Sequence, residues 1–388
     1  MAKILWYGDA VSNTGFARVT HSVLNHLKKD NEVVVYGINY QGDPHDYPFK
    51  IYPASAHNPG DRFGVGRIQQ IVEKEKPDFF ICLNDIWICN QVWERIHFLK
   101  AQFDFKFIAY FPTDSEWYPM PMLRYIKDWD FAITFTIEQA QRLMAHGVQP
   151  KKMGVVPHGL DRDKFFEIDQ TEARKRLGLP QDKFIVFNGN RNQPRKCIDQ
   201  TIKAFAEFCV DKEDALLYLN MAEKDLGWHI KELLETELRR RGVDPTQRVA
   251  LTPNMNYHAA PPDEALNLIY NACDVGINTA NGEGWGLVPF EHAMCRKAQV
   301  VPNHTSCKDI WNGSGLLIDI GAWVNDKDLN VERGIIDYKH AAKLLTDLYE
   351  DETYRKKVAD DCYRVTQNPQ YRWEAVAEGF AKAMEVLK

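Results

Sequence analysis

Asp274-Val-Gly-Ile-Asn-Thr-Ala-Asn-Gly-Glu-Gly-Trp-Gly-Leu-Val-Pro-Phe-Glu-His-Ala-Met294 is the stretch whose reading decides the fold. Asp274–Ile277 is a short apolar run with no polar face, as a strand buried between helix layers must be. Gly282, Gly284 and Gly286 follow, letting the backbone turn tightly and approach a ligand closely. Leu287-Val-Pro-Phe290 then starts a helix, with Pro289 in the first turn, where its missing N–H is not needed. Free N–H groups at that helix start make a natural phosphate site. Glu283 lies in the loop and Glu291 one turn into the helix, so both carboxylates can face one ligand. Strand, glycine turn and helix together are one repeat of an α/β fold with a parallel sheet.

The same alternation runs along nearly the whole chain. Expected strands are Lys3–Tyr7, Glu32–Tyr36, Asp78–Leu83, Lys106–Phe111 and Phe131–Thr136, then Lys183–Asn188, Leu216–Asn220, Val249–Thr252, Asp274–Ile277 and Gln299–Pro302. Helices lie between them; Phe16, Val19, Val23, Leu24 and Leu27 recur at helical spacing. Strand–helix alternation of this kind implies doubly wound parallel sheets. The pattern breaks at the turn-rich Val156-Pro-His-Gly-Leu-Asp161. We therefore expect two Rossmann-like domains, 1–160 and 161–368, facing across a cleft. A terminal helix in 369–388, opened by Tyr371-Arg-Trp373, is expected to pack back on the first domain.

Composition narrows the function classes. The 388 residues are 45% hydrophobic and 26% charged, which excludes a disordered or fibrous chain. With 48 basic and 54 acidic residues the net charge is −6, so the whole surface is no polyanion clamp. The eight cysteines form no Cys-x-x-Cys pair, which fits reduced thiols and a cytoplasmic protein better than a zinc ribbon or disulfide framework. No apolar run of about 18 uncharged residues exists to span a membrane, and stable membrane insertion is not expected.

A second constellation is Gly189-Asn-Arg-Asn-Gln-Pro-Arg-Lys-Cys197, directly after the strand Lys183–Asn188. Arg191, Arg195 and Lys196 crowd a strand's carboxyl end, where a diphosphate would be neutralised. Taken alone it reads as a solvated basic turn. Together with the glycine–glutamate loop, it points to a nucleotide diphosphate.

Glu283-x7-Glu291, between "Ala-Cys-Asp-Val" and "Glu-His-Ala-Met", resembles the E-x7-E signature of the retaining GT-B glycosyltransferases of family 4, the group 1 glycosyl transferases. Val155-Val-Pro-His-Gly-Leu-Asp-x3-Phe165 resembles the family's interdomain crossing, and Gly189-x-Arg191-x4-Lys196 its phosphate-binding pair. Gly313-Ser-Gly-Leu-Leu317 is similar to its late glycine turn, and Asn13-Thr-Gly-Phe-Ala-Arg18 sits where it has its first glycine-rich loop. The resemblance implies a GT-B fold and a retaining, metal-independent transfer from a nucleotide diphosphate sugar, with uridine diphosphate the commonest family donor, to a hydroxyl acceptor. It implies that Arg191 and Lys196 hold the diphosphate with the N–H groups of Gly286 and Leu287. Gly284, Trp285 and Val288 complete that donor loop. Glu291 would accept from the ribose, Glu283 would contact the transferred sugar, and Gly15 would approach it from the first domain. Cys197 departs from the family's glycine after the lysine, and Arg296-Lys297 from its small residue and glycine.

Asp114 is placed to orient the acceptor hydroxyl, or else to cap a turn. Asp161-Arg-Asp163 and Asp326-Lys-Asp328 are read as loop or cap residues; no metal and no further cofactor is expected. The acceptor stays open between a glycan, a small molecule and a hydroxymethylated pyrimidine in DNA, because Trp117, Tyr118, Tyr125 and Trp129 suit stacking on sugars or bases and equally suit core packing. A nicotinamide oxidoreductase would need Gly-x-Gly-x-x-Gly after the first strand, and Gly8-Asp-Ala-Val-Ser-Asn-Thr-Gly15 lacks that spacing. A GT-B epimerase and a non-catalytic sugar-nucleotide binder are the weaker rivals. The sequence does not set the oligomeric state.

Overall fold

The computed structural model describes residues 1–56, 58, 60–255 and 261–388. It divides into two units, one of Met1–Thr113, Trp117–Gly159 and Pro369–Lys388, the other of Asp114–Glu116 and Leu160–Asn368. The expected limits of 1–160, 161–368 and 369–388 differ from this by one residue at the first boundary and by the segment Asp114–Glu116. That segment was expected in the first domain. It packs in the second unit because Arg333 binds the Asp114 carbonyl and carboxylate and the Thr305 N–H binds Glu116.

The first unit holds seven parallel strands: β1 (Ala2–Asp9), β2 (Asn31–Ile38), β3 (Lys50–Pro53), β4 (Phe79–Leu83), β5 (Lys106–Tyr110), β6 (Phe131–Thr134) and β7 (Met153–Val155). Their order is β3-β2-β1-β4-β5-β6-β7. The central strands are buried on both faces, so they carry apolar side chains throughout; Ile4, Leu5, Trp6 and Tyr7 have no exposed surface. The helix Gly15–Leu27 follows β1, capped by the Thr14 hydroxyl, which accepts from the Ala17 N–H. The terminal helix Trp373–Leu387 belongs to this unit: Phe380 lies edge-on to Trp6 and Tyr110, with centroids 5.4 and 4.9 Å apart. Truncating a phenylalanine so buried costs about 3–5 kcal/mol.

The second unit holds a six-stranded parallel sheet: β8 (Phe184–Asn188), β9 (Ala215–Leu219), β10 (Val249–Leu251), β11 (Val275–Ile277), β12 (Ala298–Pro302) and β13 (Leu316–Ile318). Its order is β10-β9-β8-β11-β12-β13. An antiparallel hairpin follows, β14 (Ile320–Asn325) with β15 (Glu332–Ile336). Among the described residues every expected strand is present, and five more were missed. Three of these, β3, β7 and β13, are edge strands of three or four residues, too short for a pattern. The hairpin strands are exposed on β14 and interrupted by Gly321 and Gly334.

Candidate functional site

In a doubly wound sheet the ligand crevice opens at the carboxyl ends of the two strands where the winding reverses. In the second unit those strands are β8 and β11. The loops that follow them are the two constellations singled out in the sequence, and the fold brings them together. The Asn281 N–H donates to the Arg195 carbonyl at 2.9 Å, and the Thr279 hydroxyl donates to the Cys197 carbonyl at 2.9 Å.

Glu283 is the centre of the cluster and is 4% exposed. Lys196 Nζ donates to its Oε1 at 2.5 Å, Arg195 Nη1 to its Oε2 at 3.2 Å, and Asn278 Nδ2 to Oε1 at 3.2 Å. Burial pushes this carboxyl upward, but Lys196 and Arg195 outweigh it and hold its pKa at about 2. Burial also lowers the Lys196 ammonium, against the pull of Glu283. The backbone of Glu283 is gripped as well. Its N–H donates to Thr305 Oγ1 at 3.2 Å, and its carbonyl accepts from Ser306 Oγ at 2.9 Å. Thr305 has φ +50°, a left-handed conformation that a β-branched residue adopts at a cost.

Asp114 completes the cluster. Its Oδ2 lies 3.0 Å from Arg333 Nη1 and 3.8 Å from Arg195 Nε. Burial raises this carboxyl and the two arginines bring it below its ordinary value, Arg333 most strongly. Asp114 is therefore a partly buried counter-ion to Arg333.

The other expected donor residues fall in three places. Gly286 has φ +89° and precedes the helix Leu287–Met294, so Leu287 and Val288 form its first turn. Glu291 is buried one turn further and its Oε2 accepts from Tyr270 Oη at 2.8 Å. Gly284 is buried beside Trp285, whose ring lies against Phe290 at 5.1 Å and serves the core. Arg191 points elsewhere: it makes a bidentate pair with Asp225, at 2.6 and 3.1 Å. Gly15 opens a helix of the first unit.

Several other readings resolve as packing. His158 is fully enclosed in the first unit, bonded to Tyr110 Oη at 2.8 Å and tilted against Phe135. Tyr118 and Trp129 are core residues, whereas Trp117 is 60% exposed. Asp326 caps its own turn, accepting from the N–H groups of Asp328 and Leu329. All eight cysteines are buried, with no disulfide between them. Among the described residues no helix is long and apolar enough to cross a membrane.

The two departures from the family pattern have a common backbone basis. Cys197, in the glycine's place, has φ +46°, and Arg296 has φ +53°. Both occupy left-handed positions that glycine takes without strain. Arg333, Asn278 and Thr305 were missed altogether. Arg333 lies in Val331-Glu-Arg-Gly-Ile-Ile336, which carries no anion-site signature, and only the unforeseen hairpin brings it to the site.

The family model for glycosyl transferases group 1 matches residues 169–361. Among curated relatives, the D-inositol 3-phosphate glycosyltransferase of Acidothermus cellulolyticus is 30% identical over 49% of this chain and 42% of the relative. That of Thermomonospora curvata is 26% identical over 60% of this chain and 56% of the relative. The chain thus spans about half the length of the curated relatives it matches. Among solved structures, Anabaena HepE in complex with UDP and glucose aligns over 100% of both chains with TM-score 0.73 at 15% identity. Sucrose-phosphate synthase from Thermosynechococcus elongatus aligns over 100% of this chain and 99% of its own, with TM-score 0.74 at 15% identity. The protein has the GT-B fold, and its residues 169–361 match the family model for glycosyl transferases group 1.

Proposed function

We propose that this protein is a retaining glycosyltransferase that moves a sugar from a nucleotide diphosphate sugar, with UDP as the carrier, to a hydroxyl acceptor. One observation carries the reading: Lys196 and Arg195 converge on Glu283 beside the helix start at Leu287, at the switch point of the second sheet. Cations partly shielded from solvent beside a helix start are what a diphosphate leaving group requires. The family match over the same residues and the UDP found with Anabaena HepE support the choice of donor.

In the reaction the bond between the anomeric carbon and the leaving phosphate oxygen breaks, and its electron pair stays on the diphosphate. Lys196, Arg195 and the N–H groups of Gly286 and Leu287 stabilise the charge that develops there. The acceptor oxygen bonds the same face of the anomeric carbon, and its proton passes to the departing phosphate oxygen. No metal takes part. Glu283, ionised at neutral pH because its pKa lies near 2, offsets the positive charge on the sugar ring. Glu291 holds the ribose hydroxyls. Asp114, already paired with Arg333, belongs to the charge balance of the donor site rather than to the acceptor.

The test is a turnover assay with UDP-, GDP- and ADP-sugars, following released nucleotide with and without acceptors. The acceptor panel starts from inositol phosphates, for which the curated relatives are named, and includes glycans and hydroxymethylated DNA. Glu283→Gln should lower kcat on the order of 10–1,000-fold, as loss of one electrostatic stabiliser does. Glu291→Gln should mainly raise the donor KM, because ribose binding is the same in ground and transition states. Near-native kcat in Glu283→Gln would reduce the glutamate pair to structure and sink the mechanism.

A further inference from the structure

Arg333 stands on β15, outside every motif that points to the donor, yet its guanidinium is buried in the donor cluster with 5% of its side chain exposed. Nη1 donates to the Asp114 carbonyl at 2.6 Å and lies 3.0 Å from the Asp114 carboxylate. The next residue along, Gly334, donates its N–H to the carbonyl of Asn281, the residue that opens the glycine loop. A Cβ on Gly282 would lie 2.5 Å from Arg333 Nη1, so the loop is packed directly on the guanidinium.

The charges explain why an arginine is there. Lys196 and Arg195 face Glu283, and Asp114 lies within 3.8 Å of Arg195. Without Arg333 the two carboxylates would cancel the two cations. The site would then meet a diphosphate with no surplus positive charge in a poorly screened environment. With Arg333 the surplus is one positive charge, and Asp114 is satisfied without drawing Arg195 away from Glu283. We infer that Arg333 is a positioning residue of the donor site, which neutralises Asp114 so that Arg195 and Lys196 stay available to the diphosphate. The inference rests on the donor reading above and adds to it a residue that acts through Asp114.

A charge role and a merely structural brace give opposite predictions for a double variant. Calorimetric titration with UDP is the readout. Arg333→Met should weaken UDP binding about 10–100-fold, the usual cost of losing one charge-assisted partner, because it takes from Asp114 its nearest cation and lets it draw Arg195 away from Glu283. Adding Asp114→Asn should restore most of that affinity, and Arg333→Lys should retain most of it. A brace predicts the reverse: the double variant lacks both partners and binds no better than Arg333→Met. Should Arg333→Met fail to fold, the double variant and Arg333→Lys still decide, since near-native UDP affinity in both is the charge role and loss in both is the brace. Wild-type affinity in folded Arg333→Met, or no recovery in the double variant, overturns the inference alone. No binding of UDP, GDP or ADP to the wild-type protein overturns the donor reading and this inference with it.

Discussion

Each unit has a switch point in its sheet, between β1 and β4 in the first and between β8 and β11 in the second, but the two edges carry different chemistry. At the end of β1 the buried carboxylate of Asp9 accepts from Thr14 Oγ1 at 2.5 Å and Asn39 Nδ2 at 3.2 Å, and burial raises its pKa against those bonds and the pull of Arg62. At the corresponding edge of the second unit the buried carboxylate of Glu283 and the partly exposed one of Asp114 meet three cations, and both carboxyls are pulled below their ordinary values. Strand order supplies the crevice in both cases. What the crevice binds is decided by the loop side chains. Lys196, Arg195 and Arg333 give the second edge a surplus of positive charge, which suits a polyanion.

The contrast can be broken with two glycines. A Cβ at Gly282 would overlap the Asp114 carbonyl and crowd Arg333, whereas a Cβ at Gly159 would overlap the indole of Trp373 in the first unit. Overpacking of this kind costs about 1–3 kcal/mol, so both alanine variants should melt at lower temperature. They should differ in ligand binding: Gly282→Ala should lose UDP affinity by about tenfold or more, since about 1.4 kcal/mol of site distortion suffices, and Gly159→Ala should keep it. Equal UDP affinity in both variants would mean that the second edge is not where the diphosphate sits.

A smaller effect sharpens the first unit's side of the comparison. Burial lowers the pKa of His158 from 6.5 to about 3, so the folded protein keeps it neutral while the unfolded chain protonates it. The stability this gives is complete above pH 6.5 and is lost as pH falls toward 3. Between pH 7 and pH 5 the loss is about 2 kcal/mol. His21, lowered to about 4 by burial, adds its own share in the same direction. Urea unfolding of His158→Gln at the two pH values should show a shallower decline than the wild type; an unchanged slope would refute this account of the buried histidine.

Much of the second edge was legible in the sequence, because its signals are local. Glycines in a five-residue loop, glutamates eight positions apart and a basic turn after an apolar run all survive as short strings. Ten of the thirteen strands of the two parallel sheets were legible for a similar reason, being apolar runs. Three things were not. Arg191 faces Asp225 because a loop more than thirty residues away reaches it. Asp114 packs in the second unit through Arg333, 219 residues along the chain. The hairpin that delivers Arg333 has exposed, glycine-interrupted strands that show no periodic pattern. The first two depend on long-range ion pairs, and sequence spacing says nothing about those.

The central claim is that the Lys196–Glu283 cluster is the nucleotide diphosphate site, and titration of UDP into the wild type and Lys196→Ala by calorimetry tests it most directly. The substitution removes a charge-assisted contact worth about 1.5–3 kcal/mol and also leaves Glu283 short of its nearest cation. The wild type should bind UDP and Lys196→Ala should bind it at least tenfold more weakly, with the protein still folded. Equal affinity in the two proteins would contradict the account.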